Sequence, residues 1–421
     1  LISGDRELTL EGGCVSATDL TASEQARLPY ESIRTVGPFY GVTAERMRNA
    51  LIGLHAADPT HRAVSRLDRE GPRWEHLDAE SFALHAGAAV SDLGDWTVDV
   101  DEATSRLLAE PRGAHPLRIV VGAGYVAFKV TNAYGDAEPV NELLHELVHA
   151  AAGGRAATFP PAHRHIRYQL VRAWWQRFGL WPAREVATPP IPATEMRDWS
   201  PQLTVRSDRS GEILRHIREW RDHRAPGVTT TAITFAAFVG ALRDLGLDPD
   251  LSGAIFHIDA RRYLDQQARV DSNFSMGVRL SPRDLTDPRS VNQTVQAELA
   301  TGRVLGMMLR RTARIAVTGE SGTPGPYPSK MSTTPRPRLT LSNQGRHDLL
   351  SDLPWTVDAA SRANLSVPTH SDPEGITLTT SELDGALHLE ATFHASTYDP
   401  ELITRALDVV CTNPTGIMAR R

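Results

Sequence analysis

Between positions 125 and 154 the chain reads YVAFKVTNAYGDAEPVNELLHELVHAAAGG. Val126, Phe128 and Val130 alternate with Ala127, Lys129 and Thr131, the period-two pattern of a strand. A polar turn follows at 132–136. Val140, Leu143, Leu144, Leu147, Val148 and Ala151 then recur at the i, i+3, i+4, i+7 spacing of an amphipathic helix. Strand, turn and helix in this order present the turn to a cleft.

Similar patterning predicts the other elements. A capping box, Thr21 with Glu24, starts a helix at 21–27. Helices are expected at 43–55, 100–108, 166–178, 211–220, 232–245, 291–312 and 400–410, and strands at 8–13, 117–121, 203–207, 253–259, 376–380 and 386–393. The 232–245 helix, capped by the threonines at 229–231, is apolar nearly all round and so must be buried. The aromatics of the 166–178 helix (Tyr168, Trp174, Trp175 and Phe178) read as core or inter-domain packing. Glu70 to Trp74 reads as a hairpin turn. The segment 181–200 lacks periodicity and carries four prolines, so it reads as a linker between residues 1–180 and 201–421. The Gly, Pro, Ser and Thr of 318–337 predict a mobile loop.

A chain of 421 residues suits two domains of about 200 residues each. A net charge of −6 without a basic block argues against nucleic-acid binding. No apolar run reaches the roughly 18 residues of a membrane span. Cys14 and Cys411 stand at opposite ends, which argues against a disulfide framework and for a reducing, cytoplasmic setting. The opening residues carry neither an initiator Met nor a signal peptide, and read as a cut edge. Only Lys129 and Lys330 among the 45 basic residues are lysine, which reads as the codon bias of a high-GC bacterium.

His145 to His149 is a literal H-E-x-x-H, a zinc-hydrolase pattern in which two histidines share a helix face and the Glu activates water. Here the two histidines lie roughly 130–170° from the apolar stripe, which predicts a solvated face. No Glu follows within thirty residues to act as third ligand. No metal site is therefore expected.

A second reading rests on the order of several segments. Leu20 to Gln25 is similar to an L-T-x-x-Q opening, and 56–67 to an R-H-P-x-L-R entry into a strand. His257 to Arg261 is similar to P-V-D-L-R, and 274–283 to G-x-x-V-N-L-x-P-x-R. Ser342, Asn343 and Gly345 match S-N-x-G, and the Asp384-Gly385 turn matches D-G-x-L. Thr131, Asn132, Asp136 and Ala137 occupy the frame of H-H-x-x-x-D-G, with Leu143 and Leu144 following at the expected distance. In this order, over residues 20–410, the chain resembles the superfamily of condensation domains and CoA-dependent acyltransferases. The resemblance implies an α/β (α+β) protein of two chloramphenicol acetyltransferase-like halves, each a mixed sheet with packed helices, arranged as a V around a central tunnel.

The resemblance also implies a function: a stand-alone acyltransferase of bacterial natural-product biosynthesis. It would transfer an acyl or peptidyl group from a CoA or phosphopantetheine thioester, with an acyl or peptidyl carrier protein as partner, to a small-molecule amine or hydroxyl. No bound cofactor is implied. Asn132 stands where the superfamily carries its catalytic histidine, and an amide cannot accept a proton at neutral pH, although it donates and accepts hydrogen bonds. Asp136 is implied first as structural, paired with Arg279 or Arg283, and second, with Asn132, as a catalytic residue. Thr131, Tyr134, Ser342 and Asn343 are implied as substrate contacts. His257 and His347, near the landmark segments, read first as ordinary strand and loop residues and second as substitutes for the missing base. Cyclisation or another non-acyl step, recruitment without catalysis, and zinc hydrolysis through 145–149 are the alternatives.

Overall fold

The computed structural model describes residues 13–68, 71–94, 99–159, 167–178, 195–264, 270–318 and 327–419. Parts of the predicted 8–13 strand, the 70–74 turn, the 181–200 linker and the 318–337 loop lie outside them. The fold is built on two mixed sheets. In the first, Tyr125–Thr131 lies between Glu31–Gly37 and Leu117–Gly122; Val90–Asp92 extends one edge in parallel, and Ala363–Pro368 closes the other. In the second, the order is Ser275–Leu280, Ala254–Asp259, Arg338–Arg346, Gly375–Leu383, Ala386–His394 and Leu203–Ser210. Its three middle strands from Ala254–Asp259 to Gly375–Leu383 run parallel.

Each sheet has its own core. Leu143, Leu144, Leu147 and Val148 of the helix Ala137–Ala151 are fully buried beside Phe128 and Val130, so the predicted stripe faces the first sheet. In the second half the helix Thr230–Asp244 is buried almost all round, with Thr229 accepting from the Ala232 N–H as its N-cap. The Thr21–Glu24 capping box is formed as expected.

The structure departs from the pattern-based expectation in four places. The strand Ala363–Pro368 is donated by the second half of the sequence to the first sheet, so the chain crosses over after Arg346. Leu170 and Ala173 of the helix Arg167–Phe178 are buried in the second half's core, although that helix precedes the predicted linker. Met196–Asp198, within the predicted linker, pairs as a strand with Lys330–Ser332. The long helix expected at 291–312 is two, Pro288–Thr301 and Arg303–Thr318, because Gly302 takes a left-handed φ of 62° that ends the first.

Polar side chains line the seam between the halves. Arg34 donates to Asn364 Oδ1 at 2.7 Å, and Asn364 Nδ2 donates to Ser381 Oγ at 3.1 Å. His347 joins this network through Asn364, 3.0 Å away. Burial lowers the pKa of Arg34 and raises that of Glu390, each offset in part by the other's charge. Asp101 of the first half accepts from the N–H and hydroxyl of Ser207 in the second, at 2.7 and 2.5 Å. No described helix is long and apolar enough to cross a membrane.

Candidate active site

The turn at 132–136 is fixed by its own backbone and by the second half. The Thr131 hydroxyl is fully buried and accepts from the Ala133 N–H at 3.2 Å; the Thr131 carbonyl accepts from the Tyr134 N–H at 2.9 Å. Thr131 therefore shapes the turn. Tyr134 is also turned inward, at 2% exposure. Its ring lies under the Arg62 guanidinium, 4.9 Å from the ring centre, and burial drives its phenol pKa far up. The aromatic two positions beyond Asn132 thus packs in the first core.

Asp136 is the staple between the halves. Arg261 Nη1 and Nη2 meet its two oxygens at 2.8 and 2.9 Å, and the Phe274 N–H donates to Oδ2 at 2.8 Å. Arg261 also lies 3.0 Å from Glu138 and donates to the Ser272 carbonyl at 2.8 Å. The structural role expected of Asp136 fits this geometry, but the expected partners do not. Arg279 reaches Asp250 and Ser252, at 3.4 and 2.8 Å, and Arg283 is exposed. The reason is position along the sheet: Arg279 pairs with Ile255, away from the Asp259–Ser275 end that meets Asp136. Arg279 lies within the strand Ser275–Leu280, whereas Arg261 follows the end of Ala254–Asp259, where the chain turns toward the first half. The terminal Arg of the 257–261 segment was the sequence signal for this partner.

Two further contacts cross the gap. Arg62 joins Glu24 and Asp271 at 3.1 and 2.6 Å and donates to the Tyr134 carbonyl at 2.7 Å. Arg27 donates to the Ser275 carbonyl at 2.6 Å. Burial and then the neighbouring Arg311 charge lower the Arg27 pKa to about 10.

Asn132 is the half-buried polar residue in a turn whose other members from 131 to 135 are buried. Its N–H donates to the Tyr30 carbonyl at 2.9 Å, and among the described residues its side-chain amide has no recorded hydrogen bond. That amide is free to act on a bound group.

The Arg261 that grips Asp136 follows the strand Ala254–Asp259. Ala254, Phe256 and Ile258 are buried in the second core, so Ile255, His257 and Asp259 take the opposite face. That face is turned to the first half: Asp259 lies 3.3 Å from the Arg261 that grips Asp136, and the neighbouring Ser275 receives Arg27. His257 is exposed on this face, yet surrounding protein and then the Arg27 charge depress its pKa to about 4. No hydrogen bond to its ring is recorded among the described residues. Gly277 opposes it in the next strand; a Cβ there would lie 3.0 Å from Ile255 Cγ2 and 3.1 Å from His257 Cδ2, so a larger residue would press on both side chains. On the other side His257 pairs with Ser342, which is buried, whereas Asn343 accepts from the Thr380 hydroxyl at 3.0 Å. Ser342 therefore shares a sheet face with His257, and Asn343 ties its strand to the neighbouring Gly375–Leu383. His347, the other substitute, is consumed by the buried seam.

The H-E-x-x-H helix corrects the sequence reading a second time. His145 is 8% exposed and does not sit on a solvated face. The crossover segment covers it: Asp352 Oδ1 lies 2.9 Å from His145 Nε2, and Asp352 Oδ2 lies 3.5 Å from His149 Nε2. A third ligand-type group exists after all, brought by tertiary structure from outside the searched stretch.

The fold defined by these halves is that of condensation domains and acyltransferases of the chloramphenicol acetyltransferase type. No family model matches the chain, and no curated protein matches it. Solved structures do. The trichothecene 15-O-acetyltransferase of Fusarium sporotrichioides is similar at a TM-score of 0.57 and 12% identity, over 93% of this chain and 94% of that one. The first condensation domain of the calcium-dependent antibiotic synthetase is similar at 0.53 and 17%, over 96% and 97%. The epimerization domain from the third module of tyrocidine synthetase B is similar at 0.55 and 11%, over 97% and 98%. One of the three is an epimerization domain, so the fold is shared by more than one chemistry and the site must decide.

Proposed function

We propose that the protein transfers an acyl or peptidyl group from a carrier-protein or CoA thioester to an amine or hydroxyl, in natural-product biosynthesis. The base is His257 of the second half, which takes the role Asn132 has lost. The observation that supports this reading is an unpartnered, exposed imidazole on the face of the strand Ala254–Asp259 that also carries Asp259, beside the Arg261 that grips Asp136. Asp136 and Arg261 hold the two sides in register.

The acceptor's N–H or O–H gives its proton to His257 as its heteroatom attacks the thioester carbonyl. The carbonyl oxygen gains negative charge, which the Asn132 amide meets as a donor and Arg27 favours by its field. The C–S bond then breaks, and the thiolate leaves with the proton returned by His257. With a pKa near 4 the imidazole is neutral at pH 7 and ready to accept, though weaker than a base tuned to neutrality. An amine arriving deprotonated needs it least.

The test is a panel of acyl-CoA and acyl-carrier thioesters with pooled amines and alcohols, followed by mass spectrometry. Asn132→Ala should slow product formation by about 10²–10³-fold, as loss of one oxyanion donor does. Thioester bound without turnover under any pairing sinks acyl transfer and leaves recruitment.

A further inference from the structure

We propose that His145, His149 and Asp352 form a binding site for zinc or a similar divalent transition metal, which clasps the crossover segment to the helix Ala137–Ala151. This inference does not depend on the acyl-transfer reading.

Three observations carry it. First, the donor atoms of the three residues all lie within 4.8 Å of one another. Two donors on one tetrahedral zinc, each about 2.0–2.1 Å from it, are roughly 3.3 Å apart; one Asp352 oxygen lies 2.9 Å from His145 Nε2 and the other 3.5 Å from His149 Nε2, both near that value. Second, both histidines turn Nε2 toward the same carboxylate, at the one-turn spacing that lets two imidazoles share a metal. Third, Glu146 lies 3.4 Å from the other nitrogen of His145, Nδ1. A carboxylate behind a ligating histidine favours the tautomer with the proton on Nδ1 and leaves Nε2 free to ligate.

The same Glu146 argues against hydrolysis. In the hydrolytic use of this motif the Glu activates the metal-bound water. Here its oxygens accept from Arg155 at 2.7 Å and from the Thr158 N–H at 3.1 Å, and are held away from that task. Two imidazoles and one carboxylate suit zinc or cobalt better than calcium or magnesium, which prefer oxygen ligands. A water completes the fourth position, on the side where Asp352 is 68% exposed.

Metal here would tie two parts of the sequence together. Leu350 and Leu353, flanking Asp352, are buried in the first core, and the same segment leads from Ser342 to the strand donated to the first sheet. Fixing Asp352 fixes that path.

The full chain, stripped with chelator, should be titrated with Co²⁺ while its visible absorption is recorded, and with Zn²⁺ while thermal unfolding is followed. The expected result is one equivalent of Co²⁺ with the intense bands of four-coordinate cobalt, and a zinc-dependent rise in Tm. His149→Ala and Asp352→Ala lie at exposed or half-exposed positions and should fold, yet lose both signals; Glu146→Gln should weaken binding by about 10–100-fold. Absence of bound cobalt in the wild type, or equal binding by the Asp352→Ala and His149→Ala variants, overturns the proposal.

Discussion

Replacing Asp136 with alanine removes the acceptor for two guanidinium N–H groups and one backbone N–H that join the halves. The side chains of Asp136 and Arg261 are 11% and 13% exposed, so solvent screens the pair little. Removing one partner of a buried ion pair costs about 3–5 kcal/mol, because the other charge stays buried. Glu138 and Asp259 remain beside Arg261 and soften that loss, which places the expected destabilisation near the lower end, about 3 kcal/mol. Urea denaturation of Asp136→Ala, Arg261→Ala and the double variant gives the coupling between them. We expect about 2 kcal/mol or more for this pair, and under about 0.5 kcal/mol for the parallel cycle with Arg279→Ala. A larger coupling to Arg279 than to Arg261 would refute the assignment of the staple.

Other outcomes follow from the same geometry. Burial raises the Asp101 pKa to about 6, so the stability it contributes is full below its unfolded value near 4 and is lost as pH rises through 6. Asp101→Asn should therefore flatten the decline in stability between pH 4 and 6, measured by urea midpoints. Gly277→Ala should displace the His257 ring and lower kcat while shifting Tm by only a few degrees. Tyr134→Phe should leave turnover unchanged, since the phenol lies outside the cleft; a tenfold loss would return Tyr134 to the site. Because His257 acts as a base only when neutral, kcat/KM should hold down to about pH 5 and fall as pH drops through about 4.

The fold was legible where burial follows a simple period. The strand and helix flanking Asn132 and the all-apolar helix Thr230–Asp244 stand close to where periodicity put them. The strand Glu31–Gly37, next to the central one, was invisible for the opposite reason: Arg34 and Thr35 are fully buried, so the strand has no polar alternation to read. The donated strand Ala363–Pro368 pairs Asn364 with Val36 across the seam, a partnership with no local sequence signal. At the site, the turn at 132–136 was readable, but the Arg261 that meets Asp136 was not named as its partner. Arg261, His257 and Asp352 all reach their places through tertiary contacts with residues far away in the chain. Periodicity set the histidines of 145–149 opposite the apolar stripe correctly; what it could not give was the second layer, the crossover segment, that covers that face.

The central claim is that proton transfer has moved across the cleft from residue 132 to His257. Turnover by His257→Ala, measured on whichever thioester and acceptor give product with the wild type, tests it directly. The account predicts a loss of about 10²–10⁴-fold, the usual contribution of a general base, with Tm held within a few degrees. Product formation undiminished in His257→Ala would contradict it and leave the cleft without an assigned base.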